Sequence, residues 1–370
     1  MTHKSINSIL IMKHVSLSNE KKKKMVKVNQ YAFLKKVGIG SSSKVYVAID
    51  TNTNLYYAVK VININSSNAP QIKQEIRMMS KIIHPNVIRF KEVLYSSEKS
   101  KIFFIMEYSD IGTLSKLIDD GIKLSQERIC SIFKQITNSV AYMHSKKVTH
   151  QDIKPRNILI FSDGEAKITD FGVCHSFNSL DLMFAGSPAY QAPEIFDAFD
   201  SFDTIDDSEI SEIDENLLDP AKCDIYSLGV SLYECITGNL PFEGNTLFEI
   251  ADDMRNNPDI EFSPDITESM SPELLQTVKK MLEFDPNERI SSNELISFFS
   301  KFKSPIPFIN DLDDDSNNDT KDESSKIERV QIPPYDPNAE FKIVHAEVCD
   351  SDEFDMVTSS LPSFSRNAFA

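Results

Sequence analysis

Three side chains in the stretch VTHQDIKPRNILI are suited to phosphate chemistry, namely Asp152, Lys154 and Asn157. Another acidic residue, Asp170, follows a short apolar run in EAKITDFG. The oxygens of Asp170 and Asn157 are of the kind that Mg²⁺ prefers beside nucleotide phosphates. Asp152 is then left to accept a proton from an incoming hydroxyl group, and Lys154 to neutralise a transferred phosphoryl group. These residue types at this spacing predict phosphoryl transfer.

A glycine-containing turn lies earlier in the chain, in VGIGSSSKVYVAID, and it holds Gly38 and Gly40. A G-x-G turn between strands lets backbone N–H groups approach phosphate oxygens with no side chain in the way. An ordinary hairpin turn would also explain these glycines. A Walker-type loop is excluded, because it requires G-K-S/T where this chain has Ser43-Lys44-Val45.

A lysine and a glutamate follow that turn. Lys60 ends the strand-like run YAVK, and Glu75 lies in the middle of a predicted helix. Taken singly, each residue is typical of a solvent-exposed face. In this order after a glycine turn, they can form one device in which Glu75 orients Lys60 and Lys60 neutralises two phosphates.

The elements that must position these residues fall into two groups. Residues 29–108 contain short β-branched and aromatic runs that predict antiparallel strands, interrupted by one helical pattern, APQIKQEIRMMSKII. Further on, two short strands flank a turn at Asp163-Gly164. Helical periodicity dominates the rest, over residues 113–120, 125–145, 222–238, 245–255, 271–283 and 291–300. The sequence therefore predicts an α+β fold of two lobes, at residues 29–108 and 109–303, with a cleft between them near residue 108.

The net charge of −17 is concentrated in two segments. Residues 195–221 hold ten Asp/Glu and no Lys/Arg, and residues 304–370 hold fifteen Asp/Glu and five Lys/Arg. The first segment is interpreted as an acidic surface insertion and the second as an acidic, mostly disordered tail. Residues 1–28 are interpreted as a basic disordered segment, in which EKKKKMVK is either a solvated lysine run or a nuclear-import signal.

Five cysteines are scattered without a C-x-x-C pair, which argues against disulfides or a zinc site and indicates a reducing compartment. Cys174 could be redox-sensitive, although a small packed residue is the simpler interpretation. No apolar run is long enough for a membrane span. The near-neutral core has no basic face for nucleic acid. We therefore expect a cytoplasmic protein, with nuclear location left open, and neither nucleic-acid nor membrane partners.

Taken together, the motifs resemble those of eukaryotic protein kinases over about residues 30–303. The resemblance rests on GIGSSSKV, YAVK, Glu75, HQDIKPRN, DFG, APE at 192–194 and DIYSLG at 224–229, all in the family's order. It implies protein substrates, ATP as phosphate donor and Mg²⁺ as cofactor, which Mn²⁺ can replace.

The resemblance also assigns site residues. It implies catalytic roles for Asp152, Lys154, Lys60 and Glu75, and metal binding by Asn157 and Asp170. The residues that it implies for ATP binding are Val37, Gly38, Ile39, Gly40, Ser41, Ser42, Ser43, Val45, Ala58, Lys60, Met106, Glu107, Tyr108 and Leu159. Among them, Met106 resembles the gatekeeper, and Glu107 and Tyr108 begin the hinge.

Several further roles are structural. The resemblance places Met79, His150 and Phe171 in an apolar spine. It implies that Asp224 holds the catalytic-loop backbone and that Glu194 pairs with Arg289. Lys154 and GSPAYQAPE are similar to serine/threonine rather than tyrosine kinases, and Ser187 in that segment is expected to contact Asp152 and Lys154.

Gln151 stands where most such kinases carry an arginine that pairs with a phosphate on the activation loop. Glutamine has no charge and cannot form the bidentate clamp, although Lys167 could supply one cation. We therefore expect control by something other than activation-loop phosphorylation. The expected controller is a protein partner that fixes the helix bearing Glu75.

Longer stretches, such as CDIYSLGVSLYECITGNLPFEGNTLFEI and MLEFDPNERIS, resemble the liver kinase B type. That type implies an upstream kinase of AMP-activated-kinase relatives, activated by a pseudokinase and a scaffold. The calmodulin-dependent kinase kinases are the second resemblance, and the acidic tail shows no basic amphipathic helix of the sort that calmodulin binds. The acidic insertion could favour basic peptides, or it is a tolerated expansion.

Two departures keep a second class open, a pseudokinase that binds nucleotide as a scaffold. Ser43 replaces the third glycine of the phosphate loop, and Gln151 replaces the arginine. A pseudokinase usually lacks at least one of five residues that this chain retains in full. These are Lys60, Glu75, Asp152, Asn157 and Asp170. The sequence therefore favours an enzyme.

Overall fold

The computed structural model describes residues 26–40, 43–96, 100–176, 186–202, 218–308, 343–345 and 348–349. The chain divides into two compact units. The first unit comprises Met1–Asn65, Phe90–Tyr108 and Phe308–Ala370, and the second comprises Ser66–Arg89 and Ser109–Pro307.

The first unit is built on one eight-stranded sheet. Six strands come from the amino-terminal part of the chain: β1 (Lys27–Val28), β2 (Tyr31–Ile39), β3 (Ser43–Asp50), β4 (Tyr56–Asn63), β5 (Phe90–Ser96) and β6 (Lys101–Glu107). Two more come from the tail, β12 (Ile343–His345) and β13 (Val348–Cys349). The strand order is β12-β5-β6-β4-β3-β2-β1-β13, and every pair is antiparallel except β12 with β5.

This sheet curls back on itself. β2 and β5 are separated by three strands in the order, yet Nε2 of Gln30, next to β2, donates to Oε1 of Glu92 on β5 at 3.2 Å. The Tyr31 hydroxyl donates to the same oxygen, and Nζ of Lys91 lies 2.6 Å from Oδ2 of Asp50. The curl encloses one cluster of buried residues: Val26, Val28, Tyr31, Phe33, Tyr46, Ala48, Tyr57, Val59, Val61, Leu94, Phe103 and Ile105.

The second unit is mainly helical. Its helices are α1 (Ala69–Lys81), α2 (Leu114–Asp119), α3 (Gln126–Ser145), α4 (Pro193–Phe202), α5 (Pro220–Thr237), α6 (Leu247–Asn256), α7 (Pro264–Ser269), α8 (Pro272–Met281) and α9 (Ser292–Ser300). Its short strands are β7 (Gly112–Thr113), β8 (Val148–Thr149), β9 (Ile158–Ile160), β10 (Ala166–Ile168) and β11 (His175–Ser176). They form a three-stranded sheet, β10-β9-β7, and a β11-β8 pair.

Local sequence explains where the helices begin and end. The hydroxyl groups of Ser125, Ser271 and Ser291 accept hydrogen bonds from backbone N–H groups in the first turns of α3, α8 and α9. Ser291 and Glu294 complete a capping box. Gly238 ends α5 in the left-handed conformation, at φ 75°.

The predicted α+β fold is confirmed, with a curled antiparallel sheet and a helical unit. The predicted helices lie within a few residues of those observed, and α4 and α7 were not predicted. α1, which the sequence places with the sheet, belongs to the second unit. No helix in the described part of the chain is long and apolar enough to cross a bilayer.

Three boundaries are corrected. The ordered chain begins before residue 29, because Val26 and Val28 are buried and Lys27–Val28 form β1. The acidic insertion begins later than residue 195, because α4 runs to Phe202 and buries Ile195 and Phe196. The tail contributes β12 and β13, so those residues are exceptions to the predicted disorder. Residues 1–25 and the remainder of the insertion and tail lie outside the described residues, apart from residues 218–221 and 304–308.

Candidate active site

The Asp152 carboxylate of the catalytic loop is held by several hydrogen bonds. Nζ of Lys154 lies 3.0 Å from Oδ1 and 2.8 Å from Oδ2. Nδ2 of Asn157 donates to Oδ2 at 2.9 Å and to the Asp152 carbonyl at 2.8 Å. The backbone N–H of Ser187 donates to Oδ1 at 3.1 Å. Three residues therefore fix the orientation of one half-buried carboxylate.

Asp224 on α5 holds the backbone of the catalytic loop. Its fully buried carboxylate accepts the N–H of His150 at 2.9 Å and that of Gln151 at 2.8 Å. Gln151 has a φ of 62°, a conformation that non-glycine residues adopt only when their surroundings hold them there. The predicted role of Asp224 in holding the loop backbone agrees with these contacts.

The donor set around Asn157 and Asp170 fits a Mg²⁺ ion. The N–H of Thr169 donates to the Asn157 carbonyl at 2.9 Å, which joins the loop to the residue directly before Asp170. Because Asn157 directs its Nδ2 at Asp152, its amide oxygen points away from that carboxylate. Nowhere in the described residues do three or more His, Cys, Asp or Glu side chains cluster around a metal site. A cation here would take its remaining ligands from phosphates and water.

Glu75 lies in the same unit, on α1, and is buried. A Cβ placed on Gly172 would lie 3.5 Å from Oδ1 of Asp170 and 3.8 Å from Oε2 of Glu75. The two carboxylates are therefore adjacent to the same glycine. Nε2 of Gln74 donates to the carbonyl of Cys174 at 3.2 Å, so α1 is tied to the segment after DFG.

The apolar packing behind the loop agrees with the predicted spine. His150 and Phe171 are fully buried, and their ring centroids lie 5.4 Å apart. Met79 is buried on α1. Cys174 is also fully buried, and burial raises the pKa of its thiol well above the usual range. Its thiolate is thus disfavoured, which supports the packed rather than the redox-sensitive interpretation.

The predicted ion pair of Glu194 and Arg289 is present. Nη1 and Nη2 of Arg289 lie 2.7 Å and 2.8 Å from the two carboxylate oxygens of Glu194. Arg289 is 1% exposed and also donates to the carbonyls of Lys222, Glu283 and Phe284. The pair is structural, because it joins α4 to the start of α5 and to the turn before α9.

Ser187 contacts the catalytic loop as expected, since Nζ of Lys154 lies 2.5 Å from its Oγ. Lys167, the cation expected to compensate for Gln151, lies 3.3 Å from Oε2 of Glu165 and 5.1 Å from the Phe161 ring centroid. A carboxylate of its own hairpin therefore engages this ammonium group.

The first unit holds the residues predicted for the phosphate loop and the hinge. Val45 on β3 pairs with Lys60 on β4, and Ala58 pairs with Met106 on β6. Nζ of Lys60 lies 6.0 Å from the Phe104 ring centroid. The other described residues of this set are Val37, Gly38 and Ile39 on β2, Gly40, Ser43, Glu107 and Tyr108, whereas Leu159 lies on β9 of the second unit. Ser41 and Ser42 lie outside the described residues. Their assembly into one ATP site stays a prediction.

Sequence reasoning missed two supporting residues. Nε2 of His144 lies 3.0 Å from Oδ2 of Asp224, and Gln74 bonds to Cys174 as described above. The partners are 80 and 100 positions apart in the chain, so no spacing rule connects them.

The model of the protein kinase domain family matches residues 31–298. The chain belongs to the protein kinase family. Human serine/threonine-protein kinase STK11, the liver kinase B that the sequence resembles, is 29% identical over 91% of this chain and 73% of its own length. CBL-interacting protein kinase 5 of Oryza sativa subsp. japonica is 31% identical over 80% of this chain and 61% of its own length. A probable serine/threonine-protein kinase of Dictyostelium discoideum is 31% identical over 73% of this chain and 38% of its own length. This chain thus spans between 38% and 73% of the lengths of these relatives.

Proposed function

We propose that this chain is a catalytically active serine/threonine protein kinase, which transfers the γ-phosphate of ATP to protein hydroxyl groups. The observation that carries this proposal is the Asp152 carboxylate, held by Lys154, Asn157 and the N–H of Ser187. Catalysis of phosphoryl transfer depends mainly on positioning the reacting groups and on stabilising the charge of the transferred group. Asp152 and its neighbours can provide both.

In the proposed reaction Asp152 orients the acceptor hydroxyl and takes its proton as the new O–P bond forms and the bond from phosphorus to the leaving ADP oxygen breaks. Lys154, beside Asp152, offsets negative charge on the transferred group. Asn157 performs two tasks, since its N–H group fixes Asp152 and its amide oxygen is left for a cation.

Bound Mg²⁺ would neutralise charge on the nucleotide phosphates, and Asn157 and Asp170 are the residues that would hold it. Lys60, oriented by Glu75, is proposed to neutralise the other phosphates. Mn²⁺ offers the same preference for oxygen ligands.

The acceptor preference is proposed from Lys154 and Ser187. Both lie directly at Asp152, where the acceptor hydroxyl must arrive. The curated relatives named above are all described as kinases, two of them explicitly as serine/threonine kinases.

The test is phosphorylation of a peptide array by the purified chain, with Ser, Thr and Tyr acceptors in matched sequences. Each array is run with and without cell extract, because an activator could be required. We expect transfer to Ser and Thr and at least tenfold less to Tyr. ATP binding without transfer under both conditions would instead support the pseudokinase scaffold.

A finer proposal concerns the place of this kinase in signalling. We propose an upstream kinase that phosphorylates activation loops of AMP-activated-kinase relatives, supported by the similarity to STK11. The CBL-interacting kinases match about as well, so the assay must compare substrates directly. Transfer to an activation-loop peptide of an AMP-activated-kinase relative should exceed transfer to a composition-matched scrambled peptide. Equal rates on both peptides would reject the finer proposal.

We also propose that a protein partner, for which a pseudokinase or scaffold is the candidate, activates the chain by fixing α1. Gln151 brings no positive charge to an activation-loop phosphate. α1 carries Glu75 and is tied to the segment after DFG through Gln74. Alanine at Ser176 and Ser179 should therefore leave activity unchanged, and loss of activity in that variant would overturn this mode of control.

A further inference from the structure

Both edges of the sheet in the first unit are paired with one short stretch of the tail. β12 runs parallel to β5, with Ile343, Val344 and His345 opposite Val93, Leu94 and Tyr95. β13 runs antiparallel to β1, with Val348 and Cys349 opposite Val28 and Lys27. Without these strands, β5 and β1 would be the two open edges of the sheet.

The chain connection between β12 and β13 requires those edges to lie close together. In a flat sheet the two strands, which are seven positions apart in the order, would be separated by about 34 Å, at about 4.8 Å per strand. His345 and Val348 are joined by three Cα–Cα steps of about 3.8 Å, which span at most about 11 Å. Only a sheet curled almost into a barrel lets one stretch pair with both edges.

Side chains of the amino-terminal strands show the same curl without the tail. The contact of Gln30 with Glu92 and that of Asp50 with Lys91 join residues that at least two strands would separate in a flat sheet. Val28 of β1 and Leu94 of β5 belong to one buried cluster. The amino-terminal strands therefore bring the edges of β1 and β5 close together by themselves, and the tail strands fit between these two edges.

We propose that the edges of β1 and β5 form a peptide-binding site, which takes an extended peptide by strand addition and which Ile343–His345 and Val348–Cys349 occupy in cis. Open edges carry rows of unpaired N–H and C=O groups that favour pairing with another strand. Main-chain hydrogen bonds supply the affinity in such sites. Val28 of β1 and Val93 and Leu94 of β5 pair directly with the tail strands, and each of the three is fully buried.

Hydrogen exchange on the full-length chain tests the proposal, independently of catalysis. The variant Ile343→Pro/Val344→Pro removes two consecutive N–H groups, one of which must point toward β5 because successive N–H groups alternate in direction. Ile343→Thr/Val344→Thr is the control, because it retains both N–H groups and residues suited to strands. We expect at least tenfold faster exchange, in the proline variant alone, at those amides of residues 93–95 and 27–28 that point toward β12 and β13. β3 and β4, which are internal strands, should keep their wild-type rates.

A wild-type exchange rate at both edges of the folded proline variant would overturn the proposal. Should the proline variant fail to fold, a site-specific protease sequence inserted between Ser325 and Lys326 allows the tail to be cut on the folded chain. Retention of the carboxy-terminal fragment, with displacement by excess peptide of residues 338–352, supports the site. Loss of the fragment with faster exchange at both edges supports it as well, whereas loss with unchanged exchange overturns it.

A second copy of the chain is the competing occupant. Strand exchange between copies would double the mass in solution and mix isotope-labelled and unlabelled tails. We expect a monomeric mass at every protein concentration, with the edges of β1 and β5 protected from hydrogen exchange. A dimer whose dissociation removes that protection would overturn occupation in cis.

Discussion

At the scale of single residues, neighbouring groups fix the directions of the carboxylates in and behind the catalytic loop. Asp224 illustrates this, because both of its oxygens are used. Oδ1 accepts the N–H of Gln151, and Oδ2 accepts the N–H of His150 and lies beside His144. An asparagine has only one such oxygen, so its NH₂ group would face a donor.

We therefore predict that Asp224→Asn lowers kcat by about 10²-fold through displacement of Asp152, while KM for ATP changes little. The lost hydrogen bond should also reduce the free energy of unfolding by about 1–3 kcal/mol. Steady-state kinetics and thermal unfolding measure the two effects, with the exposed Asp265→Asn as the matched control. A loss of stability without any loss of kcat would contradict the positioning role.

The metal assignment predicts a different response at Asp170. Asp170→Asn should eliminate Mg²⁺-dependent transfer and leave the fold intact, because one carboxylate ligand is lost from a site with few protein ligands. Transfer measured across a Mg²⁺ titration, together with circular dichroism, checks this. Transfer that persists at wild-type Mg²⁺ concentrations would remove Asp170 from the metal site.

Much at this scale could be predicted because chemistry fixes residue type and order. Asp152, Asn157 and Ser187 are within one hydrogen-bonded group, as the motif order implies. His144 and Gln74 could not be predicted, because each acts through a contact far away in sequence. The compensating role expected of Lys167 rested on sequence proximity, which says nothing about the direction of a side chain.

At the scale of elements, the β9–β10 hairpin is fitted against the segment that follows α9. Gly164 in its turn has a φ of 84°, and a Cβ there would lie 2.1 Å from the carbonyl oxygen of Ile306. Nη1 of Arg128 on α3 donates to that carbonyl at 3.4 Å and to the carbonyl of Pro307 at 3.2 Å. The beginning of the tail is therefore anchored where the hairpin turns.

Gly164→Ala and Gly121→Ala separate backbone conformation from close packing. Both glycines have positive φ, but a Cβ on Gly121 would meet nothing within 4 Å. Gly121→Ala should cost about 1–2 kcal/mol of unfolding free energy for the left-handed conformation. Gly164→Ala should cost about 1–3 kcal/mol more, because Ile306 must move. Denaturant unfolding compares them, and equal losses would contradict the packing of Ile306 against the turn.

The curl of the first unit predicts a dependence of stability on pH. Burial alone would raise the pKa of the Asp50 carboxyl, but hydrogen bonds from Lys91 and from the N–H of Asn52 outweigh it and lower the pKa below its ordinary value of 3.8. A lowered folded pKa stabilises the fold above pH 3.8, and this contribution is lost as the pH falls through the folded pKa. Acid unfolding of Asp50→Asn should therefore show a shallower loss of stability below about pH 4 than the wild type. Identical pH profiles would show that this ion pair does not contribute.

Seven of the described helices could be predicted from their apolar period to within a few residues, whereas α4 and α7 could not. α7 was missed because Ile266 is its only aliphatic residue, so no apolar period marks it. The start of the acidic insertion was misplaced because composition averaged over the whole acidic run conceals Ile195, Phe196 and Ala198, which α4 buries.

At the scale of the whole molecule, the fold class follows from the order of a strand-rich and a helix-rich half. The pairing of the tail with the sheet does not follow, because strands of two and three residues carry no pattern and the pairing depends on edges formed elsewhere in the chain. The family, in contrast, could be recognised from motif order alone, and the match over residues 31–298 confirms it.

The most direct test of catalytic competence is single-turnover transfer of the ATP γ-phosphate to a serine peptide by the purified chain, Asp152→Asn and Asp265→Asn. We predict that Asp152→Asn lowers the rate by about 10²–10⁴-fold, because a positioned base is lost. Asp265→Asn should retain the wild-type rate. A rate for Asp152→Asn within about tenfold of wild type would contradict the assignment of Asp152 as the catalytic base and, with it, the proposed mechanism.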